Sequence, residues 1–165
     1  MIDFFPEENK TTSSKKRFGI CDETPPPYAY IDEFNGQYWI AVVENFYQET
    51  INFIPVDHNI EIRRPNNEMD NRCDGFLYYD KTIIFVELKT AASKNKYWID
   101  DAEKQLQVTI GHFENCKQAN DFEVKKAYIA NNAKPKFRVS MIERMDNFYY
   151  DTGYILRIEN RINID

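Results

Sequence analysis

Residues 74–89, DGFLYYDKTIIFVELK, constrain the fold more than any other stretch of the chain. GFLYY and TIIFVEL are rich in the β-branched and aromatic residues that strands favour, and only Asp80 and Lys81 lie between them. Such a pair closes as an antiparallel hairpin. Tyr79 then faces Thr82, Tyr78 faces Ile83, Phe76 faces Phe85, and Asp74 faces Glu87. A four-residue loop keeps this register and a three-residue loop breaks it. Side chains alternate faces along a strand, so Asp74, Glu87 and Lys89 share one face while Ile84, Val86 and Leu88 share the other.

Directly opposed residues sit ~4.5–5.5 Å apart at Cβ, where two carboxylates repel and weaken the sheet. A divalent cation between them removes that cost. Carboxylate, carbonyl and water ligands suit Mg²⁺ or Mn²⁺. Lys89 places an ammonium beside the pair, where it can orient an attacking water and stabilise charge developing on a phosphate. The bland alternative is a salt-bridged triplet at a strand end, with Lys89 neutralising the two acids. The spacing, the shared face and the apolar setting favour the metal site.

The rest of the chain sets the context. Its 165 residues suffice for one domain with a real core, here taken as 1–165. A net charge of −6 argues against a generally basic nucleic-acid coat protein, although a small basic groove on an acidic body is still allowed. Cys21, Cys73 and Cys116 are odd in number and far apart, so neither a zinc site nor a disulfide framework is expected. No apolar run approaches the ~20 residues of a membrane span, and MIDFFPEENKTTSSKKRF lacks a signal-peptide core. A cytoplasmic protein with reduced thiols and no association with a membrane is expected.

Residues 1–27, with a KKR triplet and a PPP run, are expected to form an irregular arm. YWIAVVEN and TINFIPV read as strands joined by FYQE, an extra N-terminal β-hairpin; IEIRR reads as a further strand and PNNEMDN as a loop. After the TAASKNK connector, WIDDAEKQLQVTIGHFENC reads as a helix, with Ile99, Ala102, Leu106, Ile110 and Phe113 on one face. VKKAYIAN reads as a strand, AKPKFRVSMIERMDNF is ambiguous, and GYILRIENRINI reads as a last strand. The order implies an α/β or α+β fold around a mixed sheet.

Asp74, then Glu87-Leu88-Lys89 closing an apolar strand, then a helix carrying Gln105, resembles the PD-(D/E)xK nuclease superfamily. The resemblance covers about residues 56–113. It implies a restriction-endonuclease-like fold, a central mixed sheet flanked by helices, and Mg²⁺-dependent phosphodiester hydrolysis, usually of DNA. Asp74 and Glu87 would be metal ligands, the Leu88 carbonyl a further one, and Lys89 would serve the water. Gln105 matches the family glutamine better than Gln107, which points away from the apolar face. For an upstream acid Asp57 is the first candidate, then Glu61 and Glu44. Arg72 is a candidate for binding phosphate. Lys94, Lys96, Tyr97 and Trp98 are candidates for holding phosphate and stacking on a base. His58 and His112 match no motif.

A second reading is a binding module on the same fold, without turnover, acting with a larger partner or as a homodimer. A third is a stand-alone α+β domain with no nuclease ancestry, which predicts that Asp74 and Glu87 are not neighbours.

Overall fold

The computed structural model describes residues 1–90, 97–133 and 138–165. Its strands are β1 (Thr11–Ser13), β2 (Arg17–Cys21), β3 (Tyr30–Asp32), β4 (Ala41–Glu44), β5 (Ile51–Pro55), β6 (Gly75–Tyr79) and β7 (Thr82–Lys89). Helix α1 (Trp98–Glu114) leads to β8 (Val124–Asn131), and α2 (Ser140–Thr152) leads to β9 (Ile155–Ile158) and β10 (Arg161–Asn163). A six-stranded mixed sheet has the order β1-β5-β6-β7-β8-β9, and a four-stranded one has the order β10-β4-β2-β3. The fold is therefore α+β, with two mixed sheets.

The central hairpin has the expected register, Tyr79 opposite Thr82 and Gly75 opposite Val86. Asp80 takes a positive φ of 47° in its turn, a conformation Asp tolerates better than most residues. Thr82 to Leu88 are all buried, because β7 is covered on both faces. Ile83 and Phe85 pack with Leu106, Ile110 and Phe113 of α1. Ile84, Val86 and Leu88 pack with Phe18, Ile20, Ala41 and Val43 of the second sheet. The helices thus cover one face of the larger sheet and the second sheet covers the other, instead of helices on both sides.

Helix α1 keeps its expected inner face, with Ala102, Leu106, Ile110 and Phe113 buried and Thr109 among them. Asp100 and Asp101 occupy its first turn, where the helix dipole favours acids. It returns the chain so that β8 pairs parallel to β7. The ambiguous segment resolves as α2, which buries Met141 and Phe148 and ends at Gly153, whose φ of 79° suits a left-handed cap.

Four expectations are corrected. The segment 1–27 is not an irregular arm: it supplies β1 and β2, and Phe18 and Ile20 are fully buried. There is no N-terminal β4–β5 hairpin. β4 pairs with β2 and β10, and β5 pairs with β1 and β6. Ala41 and Val43 instead meet Ile51 and Phe53 across the layers, so burying two apolar faces wins over pairing two edges. IEIRR forms no strand; only Arg63 bridges to Met69, and Arg64 is ion-paired to Glu68 and Asp70. GYILRIENRINI divides into β9 and β10, which join different sheets. No helix among the described residues is long and apolar enough to cross a membrane.

Candidate active site

Asp74 and Glu87 meet where β6 begins and β7 ends, and each is tied to the other's strand. The Asp74 amide donates to Glu87 Oε1 at 3.1 Å. The Leu88 amide donates to Asp74 Oδ2 at 2.7 Å. These bonds make Asp74 and Glu87 neighbours, where the third sequence reading predicts that they are apart. Glu87 is only 3% exposed. Lys89 Nζ lies 3.3 Å from Glu87 Oε2 and donates to Gln105 Oε1 at 3.2 Å. The structure therefore brings Asp74, Glu87, Lys89 and Gln105 together, whereas Gln107 turns to Glu103.

The electrostatics of the pair are unfavourable as it stands. Burial pushes the Asp74 carboxyl up to about 7; the Leu88 amide opposes this, and the charges of Asp22 and Asp57 add to it. Burial also pushes Glu87 well above the usual carboxylate range, with the charge of Asp74 adding and that of Lys89 opposing. One lysine faces two buried acids, so ionising both leaves a surplus of negative charge that a cation would relieve.

The donor set fits a hard divalent ion. Asp74 and Glu87 supply carboxylate oxygens. The N–H and C=O of one strand residue leave on the same edge. The Leu88 carbonyl therefore faces the side on which its amide reaches Asp74. Among the described residues no group of three or more His, Cys, Asp and Glu is arranged to hold a metal, so the main-chain carbonyl and water would complete the ligand set.

Asp57 lies alongside, because its amide donates to the Cys73 carbonyl at 3.1 Å and the Val56 amide donates to the Asp74 carbonyl at 2.9 Å. Arg72 holds Asp57 by an ion pair at 3.1 Å and donates to the Ile60 carbonyl at 2.9 Å. Its side chain is largely covered, so its charge is directed at Asp57. Glu61 and Glu44 pair with Arg63 and Arg17. His58 and His112 each sit against an aspartate, Asp57 and Asp70. Trp98 packs against the core and Tyr97 is exposed, while Lys94 and Lys96 lie outside the described residues.

Two contributors were not read from the sequence. Asp22 follows β2 directly, and its charge bears on Asp74. An acid closing the apolar run FGIC is the signal that would have found it. Thr109 is fully buried; its hydroxyl accepts the Cys73 amide at 2.8 Å and donates to the Gln105 carbonyl at 2.9 Å. It fastens the turn of α1 that carries Gln105 to the residue before Asp74. Gly75 leaves room for a ring of the adjacent strand β5: a Cβ there would lie 2.5 Å from Phe53 Cζ.

Compared with known proteins, the chain matches no family model, no curated protein and no solved structure.

Proposed function

We propose that this chain is a metal-dependent nuclease of restriction-endonuclease-like fold that hydrolyses phosphodiester bonds of DNA, with Mg²⁺ or Mn²⁺ as cofactor. The observation that carries the reading is the buried Asp74–Glu87 pair, locked face to face with less positive charge around it than it needs. The arrangement of β6, β7, α1 and β8, with the acids at one end of the hairpin and Gln105 on the next helix, supports the finer fold assignment. Free, buried Cys21, Cys73 and Cys116 suit work in the cytoplasm.

A bound divalent cation would bind a phosphate oxygen and make a water more acidic. Asp74, Glu87 and the Leu88 carbonyl are the residues that would hold it. Lys89 orients the attacking water and stabilises negative charge growing on the phosphate. Gln105 keeps the Lys89 ammonium in place through its side-chain oxygen. The water oxygen bonds to phosphorus, the bond to the 3′ oxygen breaks, and that oxygen takes up a proton to leave a 3′-hydroxyl and a 5′-phosphate. A homodimer would give two such sites for the two strands of a duplex.

The test is cleavage of single- and double-stranded DNA with Mg²⁺, Mn²⁺ or EDTA, for the wild type and for Glu87→Gln and Lys89→Ala. Metal-dependent cutting by the wild type, abolished in both variants, is the expected result. A folded chain that cuts nothing under any condition would overturn it and leave a binding module on the same fold.

A further inference from the structure

The end of the molecule away from the carboxylates carries an exposed aromatic and basic patch that the chemistry does not use. Phe46 and Tyr47, in the turn between β4 and β5, are 71% and 72% exposed and pack edge to face on each other. Lys16 Nζ sits 5.8 Å from the Phe46 ring centre. Lys15 and Lys16 belong to the neighbouring turn between β1 and β2 and are exposed. Arg17, the third basic residue of that run, is ion-paired to Glu44 at 2.8 Å, which leaves the two lysines to set the charge of the patch. Glu49 lies in the same turn as the aromatics and opposes the two lysines in charge.

A buried side chain fixes this arrangement. Asn45 is fully buried, and its side-chain amide donates to the Lys15 carbonyl at 3.1 Å and to the Glu49 carbonyl at 2.8 Å. Its side-chain oxygen accepts the Glu49 amide at 3.0 Å, and its main-chain amide donates to the Lys16 carbonyl at 2.7 Å. One residue thus clamps both turns, and the two rings are held outward on a rigid base. Large exposed apolar groups held this way mark an interaction surface more than a packing accident. Rings for stacking beside ammonium groups for phosphate are the pattern of single-strand binding.

We infer that Phe46, Tyr47, Lys15 and Lys16 form a binding site for single-stranded DNA, separate from the carboxylate pair. The register places Asn52 opposite Tyr78 and Pro55 opposite Gly75, so the β4–β5 turn lies beyond the far end of β6 from Asp74. At ~3.3 Å per residue, Tyr78 and Asp74 are about 13 Å apart along the strand, and the patch is further still. The site grips the strand at a distance from the bond that is cut; this use of it rests on the nuclease reading, whereas the binding itself does not.

The test is fluorescence anisotropy of a labelled oligothymidylate in EDTA, using the Glu87→Gln chain so that no cutting intervenes. Adding Phe46→Ala and Tyr47→Ala is expected to weaken binding at least about tenfold, while Phe46→Trp with Tyr47→Trp retains it. Adding Lys15→Ala and Lys16→Ala is expected to lower the salt slope by about 0.7 for each phosphate that no longer meets an ammonium. Unchanged affinity and slope in these variants, or no binding by the parent, would overturn the site. A matching oligoribonucleotide bound about tenfold tighter would overturn the choice of DNA. If the patch binds while the wild type cuts nothing with Mg²⁺, the nuclease reading falls and the patch stands; if the wild type cuts and the variants bind like the parent, the reverse holds.

Discussion

Asp32 and the Asp74–Glu87 pair place carboxylates in similar positions, at strand ends against a sheet, and treat them in opposite ways. Asp32 Oδ2 accepts the Trp39 indole N–H at 2.8 Å, the Asn35 amide at 2.7 Å and the Phe34 amide at 3.2 Å. The Trp39 and Asn35 bonds hold its carboxyl below the usual range. Asp74 receives the single Leu88 amide and faces another acid, and its carboxyl rises to about 7. The fold surrounds one acid with donors and becomes more stable for it. It buries the other two against each other, so that ionising both is costly, and costs of this kind cluster at functional sites.

The contrast breaks first under substitution. Glu87→Gln keeps the shape of the site and removes one charge, so cleavage should fall at least about a hundredfold, or about 2.7 kcal/mol in the barrier. The same change should raise the melting temperature measured in EDTA, because a neutral amide avoids the cost of burying an ionisable carboxyl. Asp32→Ala is expected to do the reverse, lowering unfolding free energy by about 2 kcal/mol in urea titrations with cleavage retained. Gln105→Ala releases the Lys89 ammonium from one partner and should slow cleavage about tenfold in single-turnover assays, without moving the urea midpoint by more than a few tenths molar.

The smallest effect is in the pH profile. Asp32 has a depressed carboxyl, so its contribution is present above its unfolded value of ~3.9 and is lost as pH falls through the lower folded value. Asp74 has a raised one, so its contribution is complete below ~3.9 and is lost as pH rises towards about 7. Melting temperatures recorded in EDTA from pH 4 to 7 should therefore slope downward through the Asp74 contribution. Asp74→Asn should flatten that slope, and Asp32→Asn should leave it unchanged.

The site was more legible than the architecture around it, for a physical reason. The β6–β7 register follows from a short turn and local pairing, so Asp74 and Glu87 could be set opposite each other from residue numbers alone. Gln105 came from the family resemblance, and helical spacing chose it over Gln107. Long-range layering left no such local mark. Residues 17–21, RFGIC, are short and sit behind a polar run, yet they pair with both β3 and β4 within the second sheet. FYQE looks like a hairpin turn, but it carries the chain between sheets, because the inner faces of β4 and β5 bury each other. Asp22 was missed with β2, since its relation to Asp74 exists only once the second sheet is in place.

The Asp80–Lys81 turn is on the surface, about 20 Å along β7 from Glu87 at ~3.3 Å per residue. Surface turns ordinarily accept insertions freely, but this one is a ruler. One added residue taken up by slipping the strands, instead of by a wider turn, would shift the pairing by one position and set Asp74 against a neighbour of Glu87 that points to the opposite layer. The spacing of two acids in the interior is written in the length of a loop they never touch. Drift in this lineage should therefore be free to change Lys81, should keep at position 80 a residue that tolerates a positive φ, and should keep the number of residues there.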